Sequence, residues 1–337
     1  MATKRAKKKT AKKRATRKKT PTKAKPTKQS HWLRNCLMLL ALVVLALSGI
    51  YYFGSFETRA KMEQIALSAI NGPRTHAATP APVSMLLDLC YDAIPSSEGL
   101  VVEGSELGRD ADTPFLAGVP HSRHAIRALP QPSYTNLFSE RHLQAAAIAL
   151  RLNDAPLQRA KFDETIQVDA RVAQLKPEAL IYDEWRPRPI APAKALIGQH
   201  GARGASDAQL ATNYAPMADS FADEVWAKAM RELTLRYPKR FGEVWIFLGP
   251  IYHQGNAKLP SGIPFPDSFY AIALDLTDEG GLRALALRIP STAESKDLNK
   301  YLTSISEIEA ATGLQFLPEL DFSIRDTLGN YVSPSVW

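Results

Sequence analysis

RFGEVWIFLGPIY (residues 240–252), IPFPDSFYAIALDL (263–276), LRALALRIP (282–290) and YLTSISEIEAATGLQFLPEL (301–320) follow one another closely and decide the architecture. VWIFLGPIY at 244–252, SFYAIALDL at 268–276 and LRALALRIP at 282–290 are apolar runs bounded by turn-forming residues, which predicts strands. SISEIEAATGL at 304–314 predicts a helix: Ser304 precedes Glu307 by the spacing of a capping box, and Gly313 supplies the stop.

Moving upstream, SFADEVWAKAMRELTLRYPKRF at 220–241 predicts a helix with Ser220 as N-cap. Phe221, Val225, Ala229 and Leu233 lie near one of its faces. AAAIALRL at 145–152 predicts another strand. No internal repeat is evident. Residues 86–337, 252 in all, read as one mixed α/β domain with ample chain for a single core.

The charge is unevenly spread. Of 42 Lys and Arg, 14 fall in residues 1–30, where there is no acid; residues 31–337 carry 28 basic against 34 acidic groups, a net of −6. The basic balance belongs to the tail, which argues against a body that grips nucleic acid by charge. The 1–33 segment lacks the apolar side chains to offset the entropy of ordering, so it reads as a disordered tail. Its cations, among them Lys7, Lys8, Lys9, Lys12, Lys13, Arg14, Arg17, Lys18 and Lys19, suit either orientation of a membrane span or binding to phosphate, whether nucleic acid or anionic lipid.

CLMLLALVVLALSGIYYF at 36–53 has no charge over 18 positions. At ~1.5 Å per residue it spans roughly 27 Å, close to the hydrocarbon thickness of a bilayer. Residues 34–54 are therefore expected to form a single transmembrane anchor, with the basic tail cytoplasmic and the body on the far side. A cleaved signal peptide is the competing reading, but GIYYFGSFETR offers a poor cleavage motif. Residues 55–85 read as a stalk, 55–71, and a Pro-rich linker, GPRTHAATPAP at 72–82. Cys36 and Cys90 fall in the span and the body and cannot pair, and no CxxC metal site exists.

The order of the four C-terminal segments resembles the DNA/RNA non-specific endonuclease family, the ββα-metal nucleases. AIALRL, then Arg159 with Phe162, then VDARV around Asp169 are similar to the family's upstream signature. The resemblance covers roughly residues 86–337 and implies a central, mostly antiparallel sheet flanked by helices. It also implies Mg²⁺-dependent cleavage of DNA and RNA. A His within Asp-Arg-Gly-His-x-Ala-Pro acts as general base, and the Arg of that motif supports the anionic transition state. One Mg²⁺ sits on an Asn of the following helix, and a Glu further along that helix orients metal-bound water.

Laid on that pattern without a gap between Trp185 and Trp226, the chain keeps the scaffold and loses the chemistry. WRPRPIAP at 185–192 retains Ala191 and Pro192, and LATNYAPM at 210–217 retains Asn213 and Pro216. The base position is Pro189, the Arg position Pro187, the metal-ligand Asn position Ala222 and the Glu position Met230. None of these side chains offers a proton acceptor or a hard oxygen ligand.

A degenerate nuclease retained for binding or scaffolding, without a metal, is the leading expectation. A working Mg²⁺ enzyme with relocated residues is the alternative: His200, in IGQHGARGAS at 197–206, would serve as base with Arg203 nearby and Asp223 or Glu224 as metal carboxylates. A third is a tether between nucleoid and envelope through the basic tail. Two smaller readings stand beside these. Asn213 is expected to bond its own backbone turn. WRPRP at 185–189 is either a stiff edge segment or a polyproline element with Arg side chains free for phosphate.

Overall fold

The computed structural model describes residues 28–53, 79–93, 102–103 and 113–337 apart from 254, 256 and 278–279, with isolated residues between 62 and 74. The basic tail positions from Lys7 to Lys19 and most of the 55–71 stalk lie outside the described residues. The chain divides into two compact units, Met1–Gly54 and Ser55–Trp337. In the first, helix Lys28–Phe53 contains a 20-residue stretch, Arg34–Phe53, of mean hydropathy 2.4 that is long and apolar enough to cross a membrane.

The second unit is built on an eight-stranded antiparallel sheet. Its order is Val102–Glu103, Gly281–Pro290, Ser268–Leu276, Glu243–Ile251, Gln144–Asn153, Thr135–Ser139 and Arg127–Pro130, and Leu302–Thr303 also pairs with Gly281–Pro290. The four strands expected from apolar runs appear within a residue or so of their predicted ends. They are buried on both faces, which is why they read as continuous apolar runs rather than as alternating ones. Ile148, Ile246 and Ala273 contribute to one core, and Ala149, Phe247 and Ile272, one residue out of step, to the other. Helices close both faces. Ile305 and Ile308 of helix Ile305–Thr312 cover the second, and the helical segment from Phe221 to Phe241 covers the first.

Helix Ile305–Thr312 forms by its local signals. Ser304 accepts a hydrogen bond from the Glu307 backbone N–H at 3.1 Å, and Gly313 takes the left-handed conformation that ends it (φ 71°). Only half of the capping box closes, because the Glu307 carboxylate accepts instead from the Thr303 hydroxyl.

The helix from Phe221 to Phe241 buries Phe221, Val225, Ala229 and Leu233 as its spacing demands, but its backbone is irregular. Phe221–Trp226 and Glu232–Arg236 are π-helical; Ala227–Arg231 and Tyr237–Phe241 are α-helical. Ser220 is not its cap. Ser220 already has helical dihedrals (φ −59°, ψ −42°) and makes no side-chain cap, since the chain turns helical at Asp219 directly after a strand.

Three further helices carry no such signal in the sequence. Ala81–Ala93 is helical across the expected linker–body boundary. The Gly-rich stretch around His200 is a pair of helices, Ala193–His200 and Ala202–Ala208, joined at Gly201 (φ 58°). They cross so closely that a Cβ on Gly204 would stand 2.0 Å from the Leu196 carbonyl oxygen.

Candidate functional site

Trp185–Pro189 and Tyr214–Ala218 form a separate two-stranded antiparallel ribbon, with Pro187 opposite Pro216 and Pro189 opposite Tyr214. Proline has no N–H to donate, so all three prolines fall on one parity of the ladder. Arg186 and Arg188 occupy the other, where the backbone bonds can form. WRPRP is thus a stiff edge strand, and neither Arg is free. Arg186 donates to the Trp185 carbonyl at 3.0 Å and to that of Asp183, while Arg188 pairs with Asp219 and Asp223, both at 2.9 Å.

The ribbon is followed by the long helix, and the two are locked at Ile190–Ala191. The indole N–H of Trp226 donates to the Ile190 carbonyl at 3.3 Å, and the Ile190 N–H donates to the Asn213 carbonyl at 2.8 Å. Asn213, fully buried, accepts from the Ala191 N–H and donates to the Ala191 carbonyl, each at 3.0 Å. The expectation that Asn213 bonds its own turn is corrected: its main partner lies 22 residues away, because the ribbon brings the two segments side by side. Asp169 supports the same corner from beneath, accepting from the Thr212 hydroxyl at 3.1 Å and from the Arg171 guanidinium at 2.7 Å.

Where this corner meets the helix lies a cavity of about 340 Å³. Pro189, Ala222 and Met230 line it, together with Pro192, Trp226 and Leu235. Three of the four positions where the chemistry was expected to be lost therefore converge on one apolar hollow; the fourth, Pro187, faces Pro216 in the ribbon. The Met230 carbonyl, at the start of the second π stretch, accepts from the Thr234 hydroxyl at 2.6 Å. That bond satisfies a group of the kind a π turn displaces from the ordinary helical ladder.

The donor set here does not fit a hard divalent cation, which takes several oxygen ligands. Ala222 and Met230 offer none. Asp223 is committed to Arg188, and Glu224 is ion-paired with Lys296 at 2.7 Å. Among the described residues, no cluster of three or more His, Cys, Asp or Glu is placed to hold a metal ion.

His200 sits elsewhere. It ends helix Ala193–His200 and lines a second, polar cavity with Ser133, Tyr134, Arg151, Gln199 and Glu243. The two cavities share no lining residue. Burial pushes the His200 imidazole below its usual pKa, against the opposing pull of Asp207. Arg203 is exposed on the next helix.

A second electrostatic cluster lies on the long helix. Glu232 accepts from Arg236 at 3.1 Å and stands 3.8 Å from Arg74; both cations also reach Asp88 of helix Ala81–Ala93, at 3.0 and 3.4 Å. Burial lowers the Lys228 ammonium to about 8, opposed by Glu232, and raises the Glu232 carboxyl above its ordinary range.

An antiparallel sheet closed by helices, with an antiparallel ribbon feeding a helix at one corner, is the mixed α/β architecture that the resemblance to the ββα nucleases implies. Residues 190–323 match the family model described as DNA/RNA non-specific endonuclease, a family that is in general metal-dependent. The match begins at Ile190, immediately after Pro189, so it includes Ala191, Pro192, Asn213, Ala222 and Met230 but neither Pro187 nor Pro189. No curated protein matches the chain.

Proposed function

We propose that the body is a nuclease-family domain that no longer cleaves phosphodiesters and acts by binding, attached to a membrane by the helix that contains Arg34–Phe53. The observation that carries this reading is the convergence of Pro189, Ala222 and Met230 on an apolar cavity at the ribbon–helix corner. Scaffold residues that hold the corner, Asn213, Ala191 and Trp226, are kept and engaged. The relocated-enzyme alternative has less support, because His200 opens onto a different cavity and Asp223 and Glu224 are already ion-paired.

The test is digestion of plasmid and RNA by the full-length protein in nanodiscs, with and without Mg²⁺. No cleavage is expected. Cleavage abolished by His200→Ala would establish the relocated enzyme instead.

The tail supports a second, separable role. Fourteen cations without an acid in residues 1–30 suit binding to nucleic acid or anionic lipid. A peptide of that segment should bind DNA with an affinity that falls steeply from 50 to 200 mM salt; a flat response would remove the tether reading.

A further inference from the structure

The corner cavity has a chemical character of its own. Trp226, Pro189, Pro192 and Met230 supply its apolar lining. Flat apolar rings pack well against indole, proline and methionine surfaces, and sulfur and indole each favour contact with an aromatic ring beyond the area buried. At about 340 Å³ the hollow falls within the roughly 300–1,000 Å³ range of small-molecule sites.

The rim is cationic. Arg188, Lys194 and Arg231 line it against one acid, Asp223. Arg188 is neutralised by Asp219 and Asp223. Lys194 and Arg231 are exposed, and neither is in an ion pair among the described residues. The uncompensated charge at the mouth is therefore positive, on a chain whose 31–337 portion is net negative. Such a local field selects an anionic group at the opening of an apolar hollow. The walls are pre-formed: Trp226 is held by the Ile190 carbonyl and packs on Phe269 at 5.4 Å between ring centroids, and the Asn213–Ala191 bonds fix the segment that leads into Pro192. Little ordering is left to oppose binding.

We infer that this cavity binds a small aryl anion, its ring seated against Trp226, Pro189, Pro192 and Met230 and its carboxylate or phosphate facing Lys194 and Arg231. The inference rests on the non-catalytic reading of the domain and names the ligand class of that same corner.

The test is calorimetric titration of the full-length protein, in nanodiscs of uncharged lipid, with 2-naphthoate, 1-naphthyl phosphate, 2-naphthalenemethanol and inorganic phosphate; empty nanodiscs supply the baseline. Saturable binding of at least one naphthyl anion is expected, about tenfold or more tighter than the neutral alcohol and than inorganic phosphate. The two anions distinguish a carboxylate from a phosphate head. Lys194→Glu combined with Arg231→Glu should weaken the anions about tenfold while leaving the alcohol unchanged. Ala227→Trp, placed on an exposed position that lines the cavity, should abolish binding without disturbing the core.

Equal affinity for anion and alcohol, binding untouched by the rim variants, or no saturable binding at all would overturn the inference. Cleavage assays on the same preparation separate the two readings. Nuclease activity would sink the non-catalytic reading whatever binds the cavity, whereas an inert protein that ignores naphthyl anions would sink this site alone.

Discussion

Asn213 grips Ala191 through both of that residue's backbone groups, accepting from its N–H and donating to its carbonyl at 3.0 Å each, with both residues fully buried. The amide thus acts as a one-residue strand neighbour and holds this corner whatever chemistry the residues around it carry. Asn213→Ala would leave two buried backbone groups unpaired, at about 1–3 kcal/mol each. The expected loss of stability is ~2–5 kcal/mol, read as a lower urea midpoint at unchanged slope. A variant with unaltered stability would mean that Asn213 serves a ligand rather than the fold.

Introducing the family's catalytic side chains at the assigned positions tests the register directly. The quadruple variant Pro187→Arg, Pro189→His, Ala222→Asn and Met230→Glu places the family's base, transition-state and metal-site residues where the gapless register assigns them. Mg²⁺-dependent nicking of plasmid is expected from the quadruple variant, together with a Mg²⁺-dependent rise in Tm. Pro189→His alone should stay inert, because a base without its metal site supplies only part of the mechanism. A folded quadruple variant that neither cleaves nor responds to Mg²⁺ would count against the alignment.

Gly204 is required by packing rather than by dihedral angle. Its Cβ would meet the Leu196 carbonyl oxygen at 2.0 Å, a backbone atom that cannot swing aside. Gly204→Ala should cost about 2 kcal/mol or more by forcing the two helices apart, measured as a fall in Tm of the body.

Lys228 makes stability depend on pH in the alkaline range. Its ammonium titrates at about 8 when folded, below the ordinary 10.5 of an exposed lysine. Between those values the unfolded chain binds the extra proton, so stability should rise with pH from about 8 to about 10.5. Lys228→Met removes the buried charge and should flatten that rise, checked by urea unfolding across the range. Glu232 acts oppositely at lower pH: its raised carboxyl makes stability fall as pH climbs just above the usual carboxylate range.

Arg188 gives a contrasting expectation. Its pairs with Asp219 and Asp223 are largely solvent-exposed, so Arg188→Ala should change stability by no more than ~1 kcal/mol. A larger loss in a denaturation curve would assign it a buried structural role.

The sequence carried whatever depends on neighbours along the chain. Apolar runs marked the four central strands, Ser304 and Gly313 marked both ends of one helix, and the spacing of Phe221, Val225, Ala229 and Leu233 marked the buried face of another. It also yields the gapless register between Trp185 and Trp226 that assigns Pro187, Pro189, Ala222 and Met230 to the family's catalytic positions, an assignment that needs only residue identities and counting. Local signals failed where glycine misled: the stretch around His200 has the composition of a loop, yet Gly201 and Gly204 serve a close helix crossing.

Three-dimensional packing settled the rest. The partner of Asn213, the separation of His200 from the ribbon–helix corner, and the meeting of Pro189, Ala222 and Met230 around one hollow all involve residues far apart in the chain. Composition and periodicity report on neighbours a few residues away. Contacts across tens of residues are fixed by how the ribbon and the π-broken helix stack against the sheet, and only that stacking gathers Pro189, Ala222 and Met230 around a single apolar hollow.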